Sequence, residues 1–172
     1  MPIVNLDVIP MLLVLCLGAP FVQIGGALTA KLFNFTVDCA DRGIFKTRKF
    51  EKNGVFYKKY FFVHVWKELL PDGAGLFKND FRKKRLASTE KDYLEKFIAE
   101  SCRAELAHII GMVPFVLFFL FVEWWIALIM VAYGIIVNLP CIIAQRYNRP
   151  RLKAALRMLE KKQKNKGDTE TE

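Results

Sequence analysis

Residues 109–144 read IIGMVPFVLFFLFVEWWIALIMVAYGIIVNLPCIIA, and their only formal charge is Glu123. As one helix rising 1.5 Å per residue, this run would reach about 54 Å, whereas the hydrocarbon core of a bilayer is about 30 Å thick. The length therefore predicts a helical hairpin that turns between Val122 and Trp125. Glu123 can reach water at that tip, and Trp124 and Trp125 suit the headgroup level. The first arm, 109–121, is short for a full span, so it either draws in residues before Ile109 or thins the bilayer locally. A re-entrant hairpin is the alternative.

Outward from the hairpin, residues 8–33 are apolar apart from Gln23, Thr29 and Lys31, long enough for a further span. Pro10, Pro20, Gly25 and Gly26 are tolerated there because membrane helices absorb kinks and close packing. The start MPIVNLD has no basic n-region and carries Asp7, which argues against a cleaved signal peptide. Across the 172 residues, 53% are hydrophobic and 25% charged, with mean hydropathy +0.22 and net charge +9. Those populations are segregated: Lys and Arg crowd residues 33–107 and the tail from Arg146, and are absent from the N-terminus and the hairpin tip. The positive-inside rule places both basic regions in the cytoplasm.

The expected fold is thus a mainly α, multi-pass integral protein of the cell membrane with about three membrane-embedded helices. Its segments are an N-terminal membrane helix (1–33), a cytoplasmic basic segment (34–107), a membrane helical hairpin (108–145) and a basic cytoplasmic tail (146–172). No nucleic-acid module accompanies the positive charge. The expected partner is an anionic membrane surface, where each nearby Lys or Arg contributes about 1 kcal/mol.

Residues 46–65 read as strand-like or interfacial. They are rich in Phe, Tyr and Val with a turn signal at Asn53-Gly54, which predicts a small β-hairpin. Pro71-Asp72-Gly73-Ala74-Gly75 predicts a loop. Residues 88–108 predict a helix, with Thr89 and Asp92 as a capping pair, running into the second span. In the tail, Leu152, Leu156 and Leu159 have helical spacing. Asn148 suits a cap with Pro150 in the first turn, and the segregated faces predict a helix lying on the inner leaflet.

The densest polar cluster is Glu100-Ser101-Cys102-Arg103-Ala104-Glu105-Leu106-Ala107-His108, placed where a helix enters the membrane. Glu105 and His108 are three residues apart, about 60° around a helix, so a carboxylate can sit beside the imidazole. That pair suits a general base which takes the proton of a hydroxyl nucleophile. Arg103, one turn from Glu100, suits an anionic group or a developing oxyanion. Asp72 is a candidate second carboxylate. Against this stands a purely structural set of interfacial salt bridges and a snorkelling anchor.

Asn138 needs a hydrogen-bond partner in the bilayer, which a carbonyl freed by Pro140 could supply, so it serves either pairing or ligand contact. Gln145, Arg146, Asn148, Arg149 and Arg151 form a donor-rich rim suited to phosphate, carboxylate or sugar, or simply to topology anchoring. Trp66 and Lys67 are interface anchors. Glu-x-x-His occurs in dinuclear iron sites, but His64 lacks a Glu three residues before it and no second motif exists, so no metal site is expected. Cys16, Cys39, Cys102 and Cys141 lack zinc or redox spacing and read as reduced thiols, Cys102 beside Arg103 being the one open to activation. No Gly-rich phosphate loop points to a nucleotide cofactor.

Trp66-Lys67 with Asp72-Gly73, then Glu100, Arg103-Ala104-Glu105-Leu106 and His108, then Asn138 and Pro140, then Gln145-Arg146-Tyr147-Asn148-Arg149-Pro150-Arg151-Leu152, together resemble the glycosyl-4,4'-diaponeurosporenoate acyltransferases. The resemblance runs over residues 66–152, about half of the chain, and leaves the basic aromatic stretch before Trp66 outside it. It implies a membrane acyltransferase that needs no cofactor. Such an enzyme esterifies a sugar hydroxyl of a glycosylated carotenoid with a fatty acyl group, the closing step of staphyloxanthin-type pigment synthesis. The partners are then a lipid-soluble glycosylated acceptor and an acyl donor.

In that reading His108 is catalytic, oriented by Glu105 or Asp72. Glu100, Arg103, Trp66, Lys67 and Asn138 join the rim in substrate binding, so that the polar cluster and the rim form two walls of one site. The alternatives are another lipid-modifying membrane enzyme, such as a methyltransferase or reductase, and a non-catalytic lipid-binding scaffold.

Overall fold

The computed structural model describes residues 8–70 and 90–170. The predicted loop at 71–75, with Asp72, and the Thr89 cap lie outside the described residues. The described chain is helical, and it divides into two compact units: Met1–Asn34 with Arg103–Ile142, and Phe35–Cys102 with Ile143–Glu172. They are called here the apolar and the polar unit.

In the apolar unit, α1 (Val8–Lys31) has 24 residues and is about 36 Å long. α4 (Lys91–Met112) contributes its C-terminal half and gives way to a 3₁₀ segment, Val113–Leu120. Pro114 is the second residue of that segment, and its missing N–H ends the α-helical ladder. The chain then turns at residues 121–123, and α5 (Trp124–Glu170) begins with the Glu123 carbonyl accepting from Ala127 N–H at 3.0 Å. The turn overlaps the expected 122–125 only at 122–123, since Trp124 and Trp125 already belong to α5.

Phe115, Phe118, Val122, Ala127 and Ala19 form the core of this unit. α1 meets α4 almost backbone to backbone. A Cβ on Gly26 would lie 2.8 Å from the Ala107 carbonyl oxygen and 3.0 Å from Gly111 N, so only hydrogen fits, as at small-residue contacts of membrane helices. Ile9, Leu12, Leu13, Leu17, Phe21 and Ile24 all point outward. Such a face suits hydrocarbon rather than water. Among the described residues, three helices are long and apolar enough to cross a membrane: Ile9–Lys31, Lys91–Leu120 and Trp124–Asn165.

The polar unit packs the first half of α4 and the second half of α5 around Leu94, Phe97, Ile98, Cys102, Leu152 and Leu156. Cys102 thus serves as a small apolar core residue. In place of the predicted β-hairpin, residues 46–65 form a 3₁₀ turn (Lys49–Gly54), α2 (Val55–Phe61) and α3 (Val63–Trp66), and the described residues contain no strand. Phe, Tyr and Val are good strand formers, but between Val55 and Val65 they fall in two clusters, 55–57 and 60–63 with 65, on either side of Lys58 and Lys59. The clusters recur about one helical turn apart and do not alternate.

The turn signal at Asn53-Gly54 is used, with Lys52, Asn53 and Gly54 all at positive φ, but it feeds a helix. A side chain at Gly54 would be strained by its φ of 88 and crowded, since a Cβ would lie 3.0 Å from the Tyr147 carbonyl oxygen. Phe62, at φ 50, joins α2 to α3. The left-handed region costs a bulky residue of order 1–3 kcal/mol, so neighbouring contacts must hold it. One such contact is Trp66 Nε1–H, which donates to the Phe61 carbonyl at 2.6 Å.

The tail also departs from expectation. α5 runs unbroken through Asn148 and Pro150 instead of restarting there, and its 47 residues extend about 70 Å. Leu152 and Leu156 are buried against α4, so the stripe predicted to lie on the leaflet is covered by the chain's own helix. Burying each leucine contributes about 1.5–3 kcal/mol.

Candidate active site

α4 buries Leu94, Ile98, Ser101, Cys102 and Glu105 at one-turn intervals, each no more than 1% exposed. The stripe changes from apolar to polar at Ser101, and the same register continues to His108 and Gly111. His108 Nδ1 lies 2.8 Å from Oδ1 of Asn138, a fully buried residue of α5. Asn138 Nδ2 donates to the Gly134 carbonyl at 2.8 Å, one turn back on its own helix.

The amide nitrogen is thereby committed, so Oδ1 is the acceptor and His108 Nδ1 carries the proton. Nε2 is then the ring nitrogen without a proton. The carbonyl that satisfies Asn138 is Gly134's, four residues back, and not the one that Pro140 frees, Ile136's. Gly134 itself lies under Phe115, whose ring would sit 2.6 Å from a Cβ there.

One member of this cluster was not legible as a site residue. A Cβ on Gly111 would lie 2.8 Å from Gln23 Oε1 and 3.6 Å from Asn138 Oδ1, so α1, α4 and α5 converge at that glycine. Gln23 Nε2 is buried and has no hydrogen-bond partner among the described residues. The signal in the sequence is its isolation, a single amide within an apolar span, where polar groups are expensive and mark function by default.

The rim of the polar unit turns inward. Arg149 is 1% exposed, and its guanidinium donates to Ser101 Oγ at 2.8 Å, the Ser101 carbonyl at 3.1 Å and the Phe45 carbonyl at 2.9 Å. Arg146 donates to Glu51 Oε1 at 2.6 Å and to the carbonyls of Ile44 at 2.8 Å and Lys46 at 3.3 Å. The short 3₁₀ turns of residues 37–54 leave carbonyls without helical partners, and two Arg forks one turn apart on α5 satisfy three of them.

Glu51, itself 1% exposed, also accepts from Tyr57 Oη at 2.6 Å and Arg48 N–H at 2.7 Å. Burial alone would raise its carboxyl, but the donors from Arg146, Tyr57 and Arg48 outweigh that and hold it below the usual range. The same network, through burial and then the bond to Glu51, pushes the Tyr57 phenol up to about 12.

Lys67 Nζ reaches Asn148 Oδ1 at 3.3 Å and lies 5.5 Å over the Tyr147 ring. Arg151 stacks on the same ring at 3.6 Å. Trp66 is spent on the α2–α3 turn. Gln145, Glu100 and Arg103 are half-buried on their helices. Of the predicted site residues, the structure thus brings His108 and Asn138 together in the apolar unit, on the stripe that holds Glu105. It brings Lys67, Asn148 and Arg151 together around Tyr147 in the polar unit. Among the described residues, no group of three or more His, Cys, Asp or Glu could hold a metal ion.

The sequence model of the glycosyl-4,4'-diaponeurosporenoate acyltransferase family matches residues 41–158, well over half of the chain. The chain belongs to this family. Glycosyl-4,4'-diaponeurosporenoate acyltransferases of Staphylococcus aureus strains Newman and N315 are each 42% identical to it over 119 residues, covering 69% of this chain and 72% of the relative. That of strain bovine RF122 / ET3-1 is 41% identical over the same length. No solved structure matches.

This acyltransferase family match takes in the aromatic stretch before Trp66, which the motif resemblance leaves out, and so includes the 3₁₀ turns that Arg146 and Arg149 brace. It also contains His108 and Asn138. α1, with Gln23, lies before it.

Proposed function

We propose that the protein esterifies a sugar hydroxyl of a membrane-dissolved glycosylated carotenoid, the substrate in its relatives' name, using an acyl thioester as donor. The observation that carries the mechanism is the 2.8 Å pairing of His108 with Asn138 within segments apolar enough to be membrane-embedded. Asn138 holds the imidazole and fixes its tautomer. His108 Nε2 removes the proton as the hydroxyl oxygen attacks the acyl carbon. The carbonyl π pair moves onto its oxygen, which the Gln23 amide N–H stabilises. Collapse expels the thiolate, which takes the proton back from the imidazolium. Glu105, buried one turn before His108, steadies the transient positive charge.

A carotenoid glycoside and a fatty acyl chain both partition into lipid, which fits a base held among apolar helices. The basic segments face the cytoplasm of a cell membrane, in line with the positive-inside rule. His108→Ala is expected to lower turnover by roughly a hundred- to ten-thousand-fold. Gln23→Ala is expected to lower it by roughly a hundred-fold or more. Both are measured as labelled acyl transfer in proteoliposomes, with insertion verified. A folded, inserted His108→Ala variant that transfers acyl groups at the unmodified rate rules out this mechanism.

A further inference from the structure

We infer that α2 and α3 form an amphipathic wedge that seats in the headgroup layer of an anionic bilayer. The inward side of the pair is settled: Tyr57 and Val63 pack on Ile143, Ala144 and Tyr147. The outward side is apolar as well. Phe50, Val55, Tyr60, Phe62 and Val65 are each 52–68% exposed. The rings are contiguous, since Phe56 meets Phe50 at 5.4 Å and Tyr60 at 5.0 Å between centroids. Protein surfaces in water rarely leave an aromatic patch of this kind uncovered.

The charge around the patch identifies what covers it. From Arg48 to Val65 there are five cations, Arg48, Lys49, Lys52, Lys58 and Lys59, and one carboxylate, Glu51, which is buried and bound to Arg146. The exposed charged side chains of this stretch are therefore all cationic, and Lys59 lies 5.5 Å over the Tyr60 ring. Aromatic rings ringed by lysines match the headgroup region of an anionic leaflet, where rings sit at the acyl boundary and ammonium groups reach phosphate. Phe62 adds an independent sign. Its φ of 50 is an unfavourable conformation for a bulky residue, and it leaves the ring outward on the patch. The apolar helices already bring the chain to a membrane.

The test places a nitroxide at Phe62→Cys, and as a control at Lys162→Cys on the exposed tail, with the four native cysteines replaced by Ala. The protein is reconstituted in vesicles of phosphatidylcholine with phosphatidylglycerol. The label at 62 is expected to be reached by oxygen and shielded from a water-soluble nickel chelate, with the reverse at 162. Lys58→Ala/Lys59→Ala is expected to reduce the depth at 62 in these vesicles, with no change in vesicles of phosphatidylcholine alone. A label at 62 as open to nickel as that at 162 overturns the inference. So does one shielded from both reagents, which would put protein, such as a second copy of the chain, on the patch. If cysteine replacement impairs folding, the unmodified chain is photolabelled with a phosphatidylglycerol carrying a diazirine just below the headgroup. Adducts at Phe61, Phe62 or Val65 support the wedge, and their absence overturns it.

Discussion

The tail half of α5 and the α2–α3 pair are both basic and both carry apolar residues at helical spacing, yet they treat those residues in opposite ways. On the tail, Leu152 and Leu156 are covered by Leu94, Phe97 and Ile98 of α4. On α2–α3, Tyr57 and Val63 are covered while Tyr60, Phe62 and Val65 are left outside. An amphipathic stripe thus says that something will cover it, not what. The tail had one apolar face and one partner helix, which is why its amphipathicity does not imply a membrane. The α2–α3 pair has two apolar faces and, among the described residues, a protein partner for only one.

The largest expected effect separates the two regions by stability. Leu156→Ala removes buried methyl groups from a packed interface and is expected to cost about 3 kcal/mol. Val65→Ser, at a position 68% exposed, is expected to change stability in detergent by no more than about 0.5 kcal/mol. Thermal unfolding of the purified variants reads both. Equal losses would mean that the outward face of α3 is covered by protein, and the contrast would collapse.

A second effect concerns how α2 is attached. The Glu51 carboxyl is held low in the folded protein, so its contribution is present above the ordinary carboxylate range and is lost as pH falls through the depressed folded value. Tyr57 has the opposite sense. Raised to about 12, it contributes fully below its ordinary value of 10.0 and loses that contribution as pH rises toward 12. Glu51→Gln is expected to cost about 2 kcal/mol at neutral pH, by weakening the hold on Arg146, and to flatten the acid limb of stability. Unfolding followed from neutral to acid pH checks this. An acid limb unchanged by the substitution would assign it to other carboxylates.

The same contrast shows what a single sequence discloses. The spans and the hairpin tip were legible because one number, 36 residues of near-uncharged sequence, exceeds what one crossing needs. His108 and Asn138 were legible as polar groups in costly surroundings, but not as each other's partner, because their pairing joins residues 30 positions apart. Gln23 was hidden for the same reason: its neighbours come from α4 and α5. The partners of the rim were not legible, because a count of donors does not reveal the acceptors. Arg146 and Arg149 serve the carbonyls of Ile44, Phe45 and Lys46, just before and at the start of the stretch read as a strand pair. That misreading came from weighing residue types above their period.

The smallest expected effect sharpens the comparison most directly, because it separates stability from membrane contact at one residue. Phe62→Gly relieves the left-handed strain, since glycine adopts positive φ freely, and removes a ring that is 60% exposed. In detergent the variant is therefore expected to be more stable by roughly 1 kcal/mol. In anionic vesicles it is expected to lose shielding of α2 and α3 backbone amides from hydrogen exchange, relative to the unmodified protein. No position on the covered face of the tail can behave this way, because removing Leu152 or Leu156 weakens the fold in either medium. Should Phe62→Gly destabilise the protein in detergent too, Phe62 belongs to the packing of the polar unit and the two regions differ only in degree.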